Sequence, residues 1–230
     1  MKFGGLQKLT LLDYPDKVAA TVFTVGCNFC CPFCHNFSLV CDLGVGKNQI
    51  TEEEILDFLQ KRRKILEGVC VSGGEPLLQP EIERFLVKIR DMGYKIKLDT
   101  NGAFPDRLES LIKNGRVDYV AMDVKNSKDL YEKTAGCAVD LSAIERSVAL
   151  LKSGAVDCEF RTTVTATFHT AESIAATAQW LHGAKRWYLQ QFVDSGELID
   201  PTVTGVDEAT LKRFCEIARE FVPNTLLRGI

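Results

Sequence analysis

The sequence predicts an α/β fold on a mostly parallel sheet, in the form of an incomplete TIM-like (β/α)6 barrel. Three observations lead there. Six short β-branched runs alternate with amphipathic stretches at helical spacing. The runs are nearly continuous in apolar residues, as strands covered on both faces are. Six strands fall short of the eight that close a full barrel, so the sheet is expected to curve without closing.

Taken in order, the first strand is expected over 18–24. Thr51-Glu-Glu-Glu54 then reads as a capping box, with Thr51 as N-cap of a helix running to about residue 64. A second strand follows over 68–72, and Pro80 opens a helix that ends near Gly93. The third strand covers 95–99, and Pro105 starts a helix closed by Asn114-Gly115. Strands over 118–124, 157–164 and 186–191 alternate with helices over 140–153 and 171–181, and a last helix fits 207–221. No linker, repeat or low-complexity tract divides the 230 residues. A single domain over 1–230 is expected, with its core at about 16–200 and the C-terminal helix at about 207–221.

Composition narrows the function. Apolar residues make up 46% and charged residues 26%, enough apolar side chain for a full core. The net charge of −3 gives no basic surface, so neither nucleic acid nor an anionic membrane is an expected partner. No apolar run nears the ~18 residues of a membrane span. The opening MKFGGLQKLT has Gly-Gly and Gln-Lys where a secretory leader would carry its apolar centre, so a cytoplasmic location is expected. Thiols stay reduced there, and nine cysteines, an odd count, suit a metal or catalytic site better than a disulfide framework.

Chemistry in such folds collects after the strands. Each run here is followed by, or ends in, polar residues: Cys27, Cys30, Cys31 and Cys34; then Ser72-Gly-Gly-Glu-Pro76; then Asp99-Thr-Asn-Gly102. Met122-Asp-Val-Lys125, Phe160-Arg-Thr-Thr-Val164 and Leu189-Gln-Gln-Phe192 complete the series. Cys27, Cys31 and Cys34 form C-x3-C-x2-C, a spacing that can ligate three irons of a [4Fe–4S] cluster and leave the fourth open. A zinc knuckle or a redox C-x2-C pair remains an alternative on spacing alone, since Cys27/Cys30 and Cys31/Cys34 both have the pair spacing. His35 is a poor fourth zinc ligand, because sharing one ion with adjacent Cys34 would strain the backbone. Gly73 and Gly74 allow close backbone approach to a ligand, with the Glu75 carboxylate beside them. Asp123 and Lys125 lie two apart on a strand end and so share a face. Asn101 reads equally as a cofactor contact or as the turn residue before Gly102.

These residues resemble the radical S-adenosylmethionine (SAM) superfamily through Cys27/Cys31/Cys34 and Gly73-Gly-Glu-Pro76. Cys34-His-Asn36, Leu98-Asp-Thr-Asn-Gly102 and Met122-Asp-Val-Lys125 are similar to the glycyl-radical enzyme activating proteins. The opening GGLQKLTLLDYPDKVAATVF, with Arg161-Thr-Thr-Val164 and Leu189-Gln-Gln-Phe192, resembles the short activating proteins of anaerobic ribonucleoside-triphosphate reductase. The resemblance covers about residues 3–201.

The resemblance implies an enzyme with a [4Fe–4S] cluster on Cys27, Cys31 and Cys34, and with SAM as second cofactor. It implies reductive cleavage of SAM to methionine and a 5′-deoxyadenosyl radical, which takes hydrogen from a glycine of a partner enzyme. Gly73, Gly74 and Glu75 would meet the SAM amino group, Asp123 and Lys125 its methionine and ribose portions, and Arg161 its carboxylate. Asp99, Thr100 and Asp123 match positions that hold a monovalent cation in some similar proteins. Phe192 stands where some relatives carry a His, and stacking on adenine would fall to it. Cys30 replaces an Arg common in similar proteins and is expected to point away from the cluster.

The partner implied is the anaerobic reductase, with flavodoxin or ferredoxin as electron donor. Activation of another glycyl-radical enzyme such as pyruvate formate-lyase is an alternative, as is small-molecule chemistry like that of the short carboxy-deazaguanine synthases. A cluster- or zinc-binding electron carrier is disfavoured by Glu75, Lys125 and Arg161 around one mouth. His169 reads as a polar loop residue, Cys70 and Cys158 as small core residues, and Trp180 and Trp187 as packing a helix on the last strand. Cys41, Cys137 and Cys215 stand alone, and without a second cysteine-rich cassette no auxiliary cluster is expected.

Overall fold

The computed structural model of the protein describes residues 1–35, 37–40, 50–194, 196 and 198–230; of Phe37 and Ser38 only the backbone is described. Asn36 of the Cys-His-Asn run and the singleton Cys41 lie outside the described residues. In chain order the elements are β1 Phe3–Thr10, β2 Ala19–Thr24, α1 Phe37–Val40, α2 Glu52–Arg62, β3 Gly68–Gly73 and α3 Ile82–Asp91. There follow β4 Lys95–Thr100, α4 Pro105–Lys113, β5 Tyr119–Asp123, α5 Tyr131–Ala135 and α6 Leu141–Lys152. The chain ends with β6 Asp157–Val164, α7 Ala171–Trp180, β7 Trp187–Gln191, α8 Glu208–Arg219 and β8 Thr225–Arg228.

The strands form one sheet in the order β1 to β8. β2 through β8 are parallel, joined by helical crossovers, and β1 lies antiparallel on β2. This is the expected α/β architecture with a strand added at each edge. β1 carries no apolar period: Phe3 and Thr10 are buried at its ends and Gln7, Lys8 and Leu9 between are exposed, as on an edge. β8 has four residues, too few to show a pattern.

Local signals act as written. Thr51 Oγ1 accepts from Glu54 N at 3.1 Å while Thr51 N donates to Glu54 Oε2 at 2.8 Å, closing the capping box of α2. Asp140 and Asp207 cap α6 and α8 one way, accepting from Ser142 N at 3.0 Å and Thr210 N at 2.7 Å.

The near-continuous apolar character expected of the strands needs correction. β4, Lys95-Ile-Lys-Leu-Asp-Thr100, alternates: Ile96 and Leu98 are buried in the apolar core, while Lys97 and Asp99 face the barrel interior. β6 alternates likewise, with Cys158, Phe160 and Val164 in the core and Glu159 and Arg161 on the other face. The interior is filled by paired polar groups. Glu159 accepts from Tyr119 Oη at 3.0 Å and from Arg228 at 3.3 Å, and Thr21 donates to Asp13 at 2.5 Å. Register aligns Cys70 with Lys97 and Asp123 with Arg161, stacking charge across neighbouring strands. Trp187 is fully buried with Nε1 donating to Thr162 Oγ1 at 3.0 Å, whereas Trp180 packs edge-on against Tyr131.

Candidate active site

The cysteine loop leaves β2 at Gly26, whose φ of 93° is one glycine adopts readily. Its far side is pinned to α5: Cys30 N donates to Ala135 O at 3.0 Å. A Cβ on Gly136, the left-handed cap of α5, would sit 2.1 Å from Cys30 O. With the backbone held there, the Cys30 residue is exposed, and Cys27, Cys31 and Cys34 line a cavity of about 250 Å³. Burial pushes the Cys27 thiol up to about 12 and the Cys31 thiol up to about 11. Both are therefore protonated near neutral pH until a metal's charge displaces the proton.

The cavity lies at the carboxyl ends of the parallel strands. Gly73 and Gly74 line it from β3, Asp99, Thr100 and Asn101 from β4 and the turn after it. Asp123, Lys125 and Arg161 line it from β5 and β6. The glycine pair has a second role. A Cβ on Gly74 would lie 2.0 Å from Gly26 O, and one on Gly73 2.3 Å from Thr24 N. Gly74 N donates to Thr24 O and Glu75 N to Gly26 O, each at 2.9 Å. Two residues without side chains thus let the end of β3 seat the cysteine loop.

Glu75 and Phe192 differ from expectation: neither is on the cavity wall. Glu75 is fully buried, and its carboxylate accepts from Leu77 N at 3.0 Å, Thr100 Oγ1 at 2.8 Å and Asn101 N at 2.7 Å. It ties the β3 turn to the β4 turn, with both oxygens engaged by donors within the chain. Phe192 is buried behind His35, their rings stacked at 5.6 Å, and it is the His35 ring that reaches the cavity. Phe33, packed on Phe168 at 6.0 Å, lines it too. An aromatic residue between two cluster cysteines was the signal that could have singled out Phe33. Ser72, Thr163 and Gln190, each inside one of the strand-end runs but given no role of its own there, are further wall residues.

Asn101 takes the turn role and also faces the cysteine loop. Its Oδ1 accepts from Ala103 N at 3.0 Å, a turn bond, while Nδ2 donates to Asn28 Oδ1 at 2.9 Å and stands 3.8 Å from Cys27 Sγ. His169 is buried off the cavity. Thr165 N donates to its Nδ1 at 3.2 Å, so Nε2 carries the proton and donates to Lys125 O at 2.9 Å. Burial lowers its pKa and keeps the ring neutral. His169 therefore anchors the backbone that presents Lys125.

The charged wall is a continuous row. Lys125 Nζ meets Asp123 Oδ2 at 3.2 Å, Arg161 Nε meets Asp123 Oδ1 at 2.8 Å, and Arg161 Nη1 meets Asp99 Oδ2 at 3.2 Å. Burial alone would raise the Asp123 carboxyl, but Arg161 and Lys125 hold it well below the usual range. Burial would lower the Lys125 amine, and Asp123 holds it above its ordinary value. Both stay ionised at neutral pH, so the row presents fixed charge to a zwitterionic ligand.

The donor set fits an iron–sulfur cluster with an open position. Among the described residues no three His, Cys, Asp or Glu side chains gather closely enough for a single metal ion. Three thiols spread over one cavity wall suit a larger cluster, beside a charged row that suits amino-acid groups.

The family model of the radical SAM superfamily matches residues 21–181. The chain belongs to the radical SAM superfamily. A Methanocaldococcus jannaschii protein with the provisional name of glycyl-radical enzyme activating enzyme is 33% identical over 98% of this chain and 95% of its own length. That match places the chain among the glycyl-radical enzyme activating enzymes. The pyruvate formate-lyase-activating enzyme of Clostridium pasteurianum is 32% identical over 54% of this chain and 52% of its own. The fold matches Streptococcus suis SuiB bound to S-adenosylmethionine with a TM-score of 0.71 at 16% identity, over 90% of this chain and 49% of that one. A domain of the Bacteroides vulgatus pyruvate-formate lyase-activating enzyme matches with a TM-score of 0.58, over 70% of this chain and 99% of the domain. The chain thus spans about half the length of SuiB and of the clostridial relative. As a radical SAM enzyme it works with a [4Fe–4S] cluster and SAM. No helix among the described residues is long and apolar enough to cross a membrane.

Proposed function

We propose that this activating enzyme removes hydrogen from one glycine Cα of the anaerobic ribonucleoside-triphosphate reductase. When bound, the reduced cluster supplies the electron that cleaves SAM to methionine and a 5′-deoxyadenosyl radical. Cys27, Cys31 and Cys34 hold the cluster, and Asn101 stands over the Cys27 sulfur. The Gly73-Gly74 backbone meets the SAM amino group, and Lys125 and Arg161 meet its carboxylate and ribose. Phe33 and His35, rather than Phe192, offer the rings for adenine. Flavodoxin or ferredoxin delivers the electron, and a cysteine set that must stay reduced to hold the cluster points to the cytoplasm.

The observation that carries this reading is the joint presence, around one cavity, of the Cys27, Cys31 and Cys34 thiols and the Asp99–Arg161–Asp123–Lys125 row. The near end-to-end match with an activating enzyme supports a protein glycine as substrate. The opening run from Gly4 to Phe23 supports the reductase as partner. The clostridial relative favours pyruvate formate-lyase as the second reading.

The test is anaerobic mixing of the reduced, cluster-loaded enzyme and SAM with each purified partner, read by EPR and by 5′-deoxyadenosine formed. A glycine radical on the reductase alone is expected. A radical only on pyruvate formate-lyase moves the assignment to the second reading. SAM cleavage without a radical on either partner would point to small-molecule chemistry, and an absence of SAM cleavage would sink the reading.

A further inference from the structure

β4 carries one more cation than the site chemistry uses. Lys97 is 1% exposed and lies two residues before Asp99 on the same face of the strand. Its Nζ is bonded to Asp99 Oδ1 and stands 3.7 Å from Cys70 Sγ. An ammonium taken this far from water persists only when paired, and Asp99 is its ion-pair partner. The other oxygen of Asp99 takes Arg161 Nη1 at 3.2 Å and Ser72 Oγ at 3.0 Å. Asp99 is thus clamped between two fixed cations.

The residues that the family resemblance offers to a monovalent cation are Asp99, Thr100 and Asp123, and their arrangement does not fit one. Thr100 Oγ1 donates to Glu75 at 2.8 Å and accepts from Gly102 N at 3.1 Å. Asp123 has Arg161 on one oxygen and Lys125 on the other. An inorganic cation on Asp99 would stand one carboxylate away from both Lys97 and Arg161, in mutual repulsion.

We propose that Lys97 is a positioning residue that supplies from within the chain the charge this place would otherwise draw from a soluble monovalent cation. It fixes Asp99, and through Asp99 it aims the Arg161 guanidinium along the cavity wall. Burial would lower the Lys97 amine, but Asp99 and Cys70 hold it above its ordinary value, so the charge is permanent at neutral pH. The proposal rests on the superfamily assignment for SAM as ligand, and on the ion pairs alone for the role of Lys97.

Two measurements test it. Cluster-loaded protein is titrated calorimetrically with SAM in potassium chloride and in choline chloride at equal ionic strength. Metal-free protein is melted in the same two salts. Wild-type SAM affinity is expected to agree between salts within about twofold. Lys97→Ala is expected to bind SAM about tenfold or more weakly in choline and to recover in potassium, because the vacated space admits the ion. Lys97→Met fills that space and is expected to recover in neither salt. Potassium should raise the melting temperature of Lys97→Ala saturably and leave the wild type unmoved.

A wild type that gains about tenfold in SAM affinity from potassium would overturn the proposal, and this arm needs no variant to fold. So would Lys97→Ala with wild-type affinity in choline, or melting of Lys97→Ala indifferent to potassium. If the loaded wild type binds SAM in neither salt, the superfamily-based reading of the cavity fails, and the metal-free melts still decide the role of Lys97.

Discussion

Glu75 allows a quantitative test of the site's buried polar layer. Its carboxylate is fully buried and accepts three hydrogen bonds, from Leu77 N, Thr100 Oγ1 and Asn101 N. In Glu75→Gln one oxygen becomes an NH2 group. Held in the same pose, the amide keeps the bonds to Leu77 and Thr100 and turns an N–H against Asn101 N–H. Leaving the Asn101 N–H, bonded at 2.7 Å in the wild type, without its acceptor costs about 1–3 kcal/mol. Burial acts in the opposite direction. It pushes the Glu75 carboxyl from its ordinary 4.5 up to about 7, against the pull of the three donors. A carboxyl raised by folding holds its proton more tightly folded than unfolded. Its stabilising contribution is complete below pH 4.5 and is lost as pH rises through about 7. Across that window the unfolded chain has released the proton while the folded chain retains it. The unfolding free energy then falls by about 1.4 kcal/mol per pH unit, about 3 kcal/mol in all. The variant has no such slope. Urea unfolding of reduced, metal-free protein from pH 5 to 8, followed by circular dichroism, should show Glu75→Gln less stable at pH 5 and the gap nearly closed at pH 8. A gap that widens with pH would refute the reasoning, because it would place the carboxyl below its ordinary range and the three donors ahead of burial.

Three other outcomes are expected. Gly73→Ala combines φ +117° with a Cβ 2.3 Å from Thr24 N, and should cost about 3 kcal/mol. That loss is about 6–12 °C in melting temperature for a chain this long, and an unchanged Tm would show that the β2–β3 junction relaxes freely. Arg161→Lys replaces a fork that touches Asp99 and Asp123 at once with a single ammonium, and SAM binding by calorimetry should weaken about tenfold. Equal affinity would remove Arg161 from the ligand's surroundings. Cys31→Ser should lose the cluster's visible absorbance on anaerobic reconstitution, and Cys30→Ser should keep it; the reverse pattern would move the third ligand to Cys30.

Much of this architecture is legible along the chain. Thr51 and Glu54 are three residues apart, and the capping box they close needs nothing from the rest of the molecule. Pro105 and Asp140 mark their helices for the same reason. The strand ends could be located because each polar cluster follows a β-branched run within a few residues. β1 and β8 were not legible. An antiparallel edge strand with an exposed centre shows no burial period, and four residues show no period at all. Lys97 stands mid-strand between Ile96 and Leu98, and only the register with Cys70 and the pairing with Asp99 show that it is enclosed.

The sequence by itself determined the alternation of strand and helix, the three thiols in one short loop, and the class of site at the strand ends. Those follow from spacing within a few residues, where backbone period and loop length leave little choice. The tertiary structure alone decided which of those residues face the ligand and which face each other. Glu75 turns inward because donors 2, 25 and 26 residues away converge on it. Phe192 yields the cavity to His35 because the β7 end folds behind the cysteine loop. Arg161 spans Asp99 and Asp123, partners 62 and 38 positions away. Pairing at such separations is set by sheet register and by the cost of leaving a buried charge unmatched, and neither quantity exists until the strands have met.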